Sequence, residues 1–151
     1  MKVSLQDFSE RINDILPIII KEFTKRQLNE LSKGRITLPQ FLILDFLERN
    51  GEAKMSALAR FMSVSTAAMT GTIDRLVKHG CVTRDLENSD RRIVKIRLMP
   101  KGSSIIKKIN SQRRHMIIDV FGRVSERDRS DYLRILTNIK EVLSEKNYKV
   151  T

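Results

Sequence analysis

Residues 55–98, MSALARFMSVSTAAMTGTIDRLVKHGCVTRDLENSDRRIVKIRL, contain the pattern that decides the fold. Apolar residues at helical spacing predict a short helix over about Met55–Met62 and a second helix over Thr66–Lys78. Ser65 has the side chain of a good N-cap for the second helix, and Gly80 is placed to end it. Two short helices joined by a tight turn are typical of a helix-turn-helix.

Two strands are predicted directly after the second helix. Cys81–Leu86 is rich in residues that favour strands, and Ile93–Leu98 alternates apolar with basic side chains. Residues 87–92 between them are polar and form the tip of a hairpin. A helix-turn-helix followed by a hairpin is a winged helix, so the predicted fold class is mainly α with a small β-hairpin wing.

Amphipathic helices are predicted on both sides of this region, because apolar residues recur there at three- and four-residue steps. Before it, these residues are Leu5, Phe8, Ile12, Ile15, Leu16, Ile19 and Phe23. After it, they include Ile105, Ile109, Val120, Tyr132, Leu136 and Leu143. Pro17 predicts a kink or a delayed start of the first helix, and Thr37 with Gln40 predicts a capping box for the next one. The N-terminal stripe has no compact unit near it in sequence, so we expect another chain to cover it.

The composition favours a polyanionic partner. The chain has 151 residues, about one domain, with 29 Lys and Arg against 18 Asp and Glu, and thus a formal net charge of +11. This balance favours nucleic acid over a membrane surface. The N-terminus lacks the apolar run of a secretory signal, and the longest apolar stretch, Ile15–Ile20, is too short to cross a bilayer. One cysteine fits a reducing compartment, so we expect a cytoplasmic protein without membrane contact.

The second predicted helix is the candidate for reading DNA bases. Recognition helices contact base edges in the major groove mainly through their N-terminal residues. The contacts expected from this helix and its cap are Ser65, Thr66, Ala67, Ala68, Thr70, Gly71, Arg75 and Lys78. Small side chains let the backbone approach DNA, and hydroxyls bond to phosphates or base edges. A purely capping role for Ser65 and a purely solvated Lys78 stay open as alternatives.

The tip of the hairpin is the second candidate contact. Asp90, Arg91 and Arg92 lie there, and an arginine at such a tip can enter a narrow minor groove. Asp90 is expected to hold one of the two arginines in place. The alternative is a solvated turn with an incidental pair of arginines. Asp74, in the second helix, is expected to pair with a nearby arginine, because a carboxylate next to a phosphate is costly.

The sequence carries no pattern of a catalytic or metal site. His79 and His115 are far apart, and together with Cys81 they do not have the spacing of metal ligands. A Gly-rich phosphate loop and a nucleophile elbow are also missing from the sequence. Cys81 is expected to be a small buried hydrophobe, with a redox-sensing thiol as the alternative. We therefore expect no enzymatic activity, no metal and no cofactor.

The same stretch of sequence resembles the MarR family of bacterial transcription regulators. In the second helix, the family's recognition-helix pattern is matched by Ile73, Asp74, Arg75 and Leu76, followed by Gly80. In the wing, the family signature is matched by Asp90, Arg92, Ile96, Leu98 and Gly102. Three positions depart from the family's pattern, namely Ser63 in place of the turn glycine, Gly71 in place of a polar residue, and Met99 in place of threonine. The loss of that threonine leaves Pro100 as the expected first residue of the following helix.

This resemblance implies a fold and a function for the whole chain. It implies that residues 1–36 and 100–151 form the helices of an interleaved dimerisation domain and that residues 37–99 form a winged helix-turn-helix. It also implies a homodimer that binds a near-palindromic operator in double-stranded DNA as a repressor, released by a small aromatic or phenolic effector. The alternative is a winged-helix module that binds DNA constitutively, or a protein partner, without an effector.

Overall fold

The computed structural model of the protein describes residues 3–31 and 36–144. In chain order, the elements of the described residues are α1 Leu5–Leu31, α2 Leu38–Asn50, β1 Glu52–Lys54, α3 Met55–Phe61, α4 Thr66–Lys78, β2 Val82–Leu86, β3 Val94–Leu98, α5 Pro100–Phe121 and α6 Glu126–Ser144. The chain divides into two compact units, Met1–Gln112 and Arg113–Thr151. Among the described residues, no helix combines the length and the apolar character needed to cross a membrane.

The first unit is a winged helix-turn-helix, as the sequence predicted. Its core packs the apolar sides of α2, α3, α4 and the sheet against the start of α5, and the fully buried side chains include Ile43, Leu44, Leu47, Leu58, Ile73, Leu76, Ile96 and Ile106. The predicted capping box starts α2, because the Thr37 backbone N–H donates to Gln40 Oε1 at 2.9 Å and the Gln40 backbone N–H donates to Thr37 Oγ1 at 3.4 Å.

The sheet has three antiparallel strands in the order β1-β3-β2, one more than the sequence predicted. β1 pairs with β3 so that Ala53 lies opposite Ile96, and β2 pairs with β3 so that Arg84 lies opposite Ile96 on the other side. A strand as short as Glu52–Lys54 is below the length at which alternation can be recognised in a sequence. It forms because β3 presents a free edge to it.

α1 begins at Leu5, well before Pro17, and not after it. The Ser4 hydroxyl accepts from the Asp7 backbone N–H at 3.1 Å, which caps the helix at its first turn. The helix then runs through Pro17 to Leu31, so the delayed start was wrong. The apolar residues of α1 that lie exposed in the single chain are Leu5, Phe8, Ile12, Ile15, Leu16, Ile18, Ile19 and Ile20.

α5 begins at Pro100, as the loss of the capping threonine predicted. Its first turn lies against the start of β2, since the Met99 backbone N–H donates to the Cys81 carbonyl at 2.9 Å. Gly102 is buried at this contact, and a Cβ at that position would collide with the Cys81 carbonyl oxygen. Only glycine therefore lets the two backbones approach so closely.

The second unit contains the end of α5 and all of α6. α6 is capped by Ser125, because its Oγ accepts from the Asp128 backbone N–H at 3.1 Å. The rings of Phe121 and Tyr132 stack with centroids 5.4 Å apart. α6 has no buried residue in the single chain, and its exposed apolar side chains are Tyr132, Leu133, Ile135, Leu136, Ile139, Val142 and Leu143.

Candidate nucleic-acid interface

The turn between α3 and α4 sets the direction of the predicted recognition helix. Ser63 in this turn has a φ of +53°, in the left-handed region that favours glycine. Ser65 then caps α4, because its hydroxyl accepts from the Ala68 backbone N–H at 3.1 Å. The side of α4 that carries Ile73 and Leu76 is fully buried, which fixes the rotation of the helix and turns its opposite side to solvent.

The N-terminal half of α4 presents a low surface of small side chains. Of the residues expected to contact DNA, those exposed here are Ser65, Thr66, Ala67, Ala68 and Gly71. Thr70 is half-buried, and its hydroxyl donates to the Thr66 carbonyl at 2.8 Å. An added Cβ at Gly71 would meet no atom within 4 Å, so its surroundings are open. This surface lets the helix backbone come close to a ligand. Ser65 only accepts a hydrogen bond in the cap, so its hydroxyl hydrogen is still available to donate.

Asp74 pairs with an arginine, as the sequence predicted. The partner is Arg84 of β2, whose Nη2 lies 2.6 Å from Asp74 Oδ1. The same nitrogen donates to the Thr70 carbonyl at 3.2 Å, so that Arg84 holds two points of α4 to the sheet. Arg84 was not among the residues singled out in the sequence. One feature of the sequence could have pointed to it. Arg84 lies two residues after Val82 in a predicted strand, so the two side chains are on the same face of the sheet.

The wing is a closed turn with both arginines exposed. The Glu87 backbone N–H donates to the Ile93 carbonyl at 3.0 Å, which closes the base of the loop. Asp90 Oδ1 accepts from the backbone N–H of Arg92 at 2.9 Å. Asp90 therefore fixes the main chain of Arg92, and it does not pair with the guanidinium.

A cavity of 510 Å³ lies between α4, β1 and the root of the wing. It brings together three of the predicted contact residues, Thr66, Thr70 and Arg92. The predicted residues that do not line it are Ser65, Ala67, Ala68, Gly71, Arg75, Lys78, Asp90 and Arg91. Three other polar residues on its walls were not predicted from the sequence, namely Lys54, Ser56 and Arg84. They come from separate elements that only the fold brings side by side.

Two groups of charged side chains in the first unit differ in how they are paired. In one group, no carboxylate of the described residues forms an ion pair with the side chain, and we call its members the groove-side cations: Arg75, Lys78, Arg91 and Arg92. In the other group, every charge is compensated on the outer side of the sheet, and we call it the wing-sheet network: Glu52, Asp85, Glu87, Lys95 and Arg97.

The wing-sheet network shifts the titration of two of its members. Lys95 Nζ lies 3.3 Å from both Glu52 and Glu87, and Arg97 lies 3.3 Å from Glu52 and 3.4 Å from Asp85. The hydrogen bond from Lys95, with a further one from Arg97, lowers the pKa of Glu52. The hydrogen bonds to Glu52 and Glu87 raise the pKa of Lys95. These charges satisfy one another and are not available to an external anion.

Cys81 is fully buried beside the start of α5, as expected of a small hydrophobic residue. Burial raises the pKa of its thiol, partly offset by the charge of Lys101. A thiol of raised pKa is a poor nucleophile and a slow target for oxidants. Within the described ranges, no three His, Cys, Asp or Glu side chains are grouped so that they could hold a metal ion.

Comparison with known proteins agrees with this geometry. Residues 36–94 match the model of the MarR family. The HTH-type transcriptional regulator YhbI of Bacillus subtilis is 30% identical over 142 residues, covering 91% of this chain and 92% of that protein. The structure of a MarR family protein from Bacillus stearothermophilus superposes with a TM-score of 0.81 and 23% identity over 95% of this chain and all of that one.

A further solved structure, a mutant of MarR from E. coli complexed with operator DNA, has the same fold. Its TM-score is 0.69 at 20% identity, over 91% of this chain and 99% of that chain. The family match lies on the winged helix, and the relative at 30% identity extends the likeness to nearly the whole length of the chain. The multiple antibiotic resistance protein MarR of Salmonella typhimurium is 30% identical over 107 residues, which cover 67% of this chain and 74% of that protein. The chain belongs to the MarR family of winged helix-turn-helix transcription regulators, and it is therefore a DNA-binding regulator and not an enzyme.

Proposed function

We propose that this protein is a homodimeric repressor that binds a near-palindromic operator and is released from it by a small molecule. The observation that carries the proposal is the exposure of the N-terminal half of α4, together with the exposed groove-side cations of α4 and of the wing. A helix of this shape fits the major groove, while a wing arginine fits the adjacent minor groove. We expect this protein to act in the cytoplasm, where bacterial DNA lies.

The proposal assigns separate roles to the two contact segments. Base edges would be met by Thr66, Ala67, Ala68, Thr70 and Gly71, with phosphates met by Ser65, Arg75 and Lys78. On the wing, Arg91 and Arg92 would enter or flank the minor groove, with Asp90 fixing the main chain between them. The side chains near the bases are small, so specificity would rest on close backbone approach and on hydroxyl contacts.

The exposed apolar sides of α1 and α6 support a homodimer. Single large apolar side chains are common on protein surfaces, but continuous stripes along whole helices normally mark an interface. Each of these helices leaves such a stripe uncovered in the single chain, including Phe8 at 53% exposure and Leu133 at 65%. A second copy offers the same two stripes in return. Two-fold symmetry would then place the two copies of α4 about 34 Å apart, one turn of DNA.

A second cavity supports the proposed response to an effector. It measures 390 Å³, within the usual range of small-molecule sites, and its walls are Ile36, His79, Cys81, Lys101, Ile105, Lys108 and Ile109. Apolar walls with a few cationic side chains suit a small aromatic or phenolic molecule that carries a negative charge. His79 and Cys81 directly follow α4 in the chain, so a ligand here would contact the segment that anchors the recognition helix.

The decisive experiment is the selection of bound fragments from genomic DNA. We expect recovery of a short near-palindrome upstream of genes, and a footprint of two half-sites one helical turn apart. The matched comparison is the same fragment with one half-site scrambled, which should bind far more weakly if two protomers act together. Recovery of fragments with no shared sequence would contradict specific recognition.

The effector is tested by thermal shift with and without the selected fragment. A ligand that raises the melting temperature of the free protein and weakens DNA binding supports the repressor mechanism. Ile105→Trp, which fills the cavity from the start of α5, should remove the response while DNA binding persists. If no small molecule weakens DNA binding in such a screen, the constitutive or protein-partner alternative replaces the effector.

A further inference from the structure

Arg84 is held in a fixed orientation and still has hydrogen-bond donors to offer. Its Nη2 bonds to Asp74 Oδ1 at 2.6 Å and to the Thr70 carbonyl at 3.2 Å. Within the described part of the chain, its Nε and Nη1 have no hydrogen-bond partner. The side chain is 34% exposed, so these donors are not sealed in the core. A guanidinium whose Nη2 is held in place, with the Nε and Nη1 donors still available, can bind an anion without first being ordered.

Arg84 lines the 510 Å³ cavity together with Thr66 and Thr70 of α4 and Arg92 of the wing. The major and minor grooves of a duplex are adjacent, and a single sugar-phosphate strand separates them. A protein that puts α4 into one groove and the wing into the other must therefore carry that strand across the space between them. The cavity lies between α4 and the root of the wing.

We propose that the cavity seats the sugar-phosphate strand between the two grooves and that Arg84 donates to a phosphodiester there, oriented by Asp74. The inference rests on the proposed placement of α4 and the wing on DNA. Arg84 then has two tasks, since it fixes α4 to β2 through the Thr70 carbonyl and Asp74 and binds the DNA backbone through its remaining donors.

The same arrangement explains a carboxylate at the DNA-facing side of the recognition helix. The Asp74 side chain is 56% exposed, and an uncompensated carboxylate near phosphates would repel DNA. Bonded to Arg84, its charge is compensated, and its Oδ1 together with the Thr70 carbonyl fixes the position of Arg84 Nη2. Asp74 is in this sense a positioning residue for Arg84.

The test measures binding of the full-length protein to a labelled 30-bp duplex of random sequence over a series of salt concentrations. A phosphate contact does not depend on sequence, so no operator is needed. Arg84→Gln keeps an amide donor for Asp74 but loses the charge. We expect about tenfold weaker binding at low salt, with the slope of log affinity against log salt reduced by about 0.9 for each bound protomer.

Asp74→Asn gives a change of opposite sign, which loss of folded protein cannot produce. It leaves the charge of Arg84 uncompensated, so the salt slope should steepen by about 0.9 for each protomer. Arg84→Lys retains the charge and should retain the slope. The matched control is Arg49→Gln, because Arg49 is also paired with a carboxylate, Asp45 at 2.9 Å, but lies outside the cavity. It should keep the wild-type slope.

The proposal is overturned if Arg84→Gln and Asp74→Asn both give the slope of the Arg49→Gln control. This outcome is separate from failure of the proposed operator, since loss of sequence selection in genomic DNA leaves the measurement on random duplex intact.

Discussion

The groove-side cations and the wing-sheet network lie on the same small winged helix, yet they hold their charges in opposite ways. The side chains of Arg91 and Arg92 form no ion pair with a carboxylate in the described ranges of the chain, whereas those of Lys95 and Arg97 each contact two carboxylates. Neighbours in sequence thus differ in what their charge can do. A cation that is compensated within the fold stabilises the wing, and one left open can release counterions from DNA.

This difference shows why net charge locates a function poorly. The formal charge of +11 favours a polyanionic partner but counts Arg97 and Arg92 alike. Only the local pairing separates them. A basic composition therefore indicates the class of partner, and the pattern of unpaired cations indicates the surface.

The sharpest test compares Arg92→Ala with Arg97→Ala, which remove the same charge from the two groups. Arg92→Ala should cost about 1–3 kcal/mol of binding to the selected operator, because it removes a contact in a narrow groove. Arg97→Ala should change operator affinity little and should lower stability by at most about 1 kcal/mol, the usual worth of an exposed pair. Titration by fluorescence anisotropy measures both. Equal losses of affinity would break the distinction between the groups.

Ser63→Gly tests stability without any change of charge, because Ser63 belongs neither to the groove-side cations nor to the wing-sheet network. Its φ of +53° is strained for a residue with a Cβ, and glycine relieves the strain at the expense of a more flexible unfolded chain. We expect a net gain of about 0.5–1 kcal/mol in the free energy of unfolding, measured with urea. Ser56→Gly, in an ordinary helical position, serves as the control and should destabilise. A loss of stability in Ser63→Gly would show that the turn needs its serine for another reason.

The smallest effect concerns the pH dependence of the wing-sheet network. The pKa of Glu52 is lowered chiefly by Lys95, so its stabilising contribution is present above the ordinary pKa of a glutamate, about 4.3, and is lost as the pH falls through the lower folded value. The melting temperature of wild type should therefore approach that of Glu52→Gln as the pH is lowered from 7 towards 3. At pH 7 wild type should melt slightly higher. A gap between the two proteins that grows on acidification would contradict this assignment.

Much of the winged helix could be predicted from local sequence. The bounds of α4, its cap at Ser65 and its end before Gly80 follow from spacing and from residues with strong positional preferences. The structure confirmed the capping box of α2 and the start of α5 at Pro100 for the same reason. Each of these features depends on residues a few positions apart, whose interactions do not need the rest of the fold.

The errors and omissions arise where distant segments meet. β1 was missed because three residues carry too little pattern, and the edge of β3 that stabilises them lies more than forty residues away in the chain. Arg84 was missed because its partners belong to α4, and the order of the two elements in the sequence does not show that they touch. Asp90 was expected to hold one of the two wing arginines, and its hydrogen bond is to the main chain of Arg92.

The sequence by itself determined the family, the winged helix-turn-helix, the caps and the class of partner. Periodicity and capping preference are properties of short stretches of sequence, and net charge is a sum over all residues. Only the tertiary structure decided which cations are neutralised, that Arg84 holds Asp74 and Thr70, and that a cavity opens between α4 and the wing. Electrostatic pairing falls off with distance in space and not along the chain, so it cannot be assigned until the fold has brought the charges together.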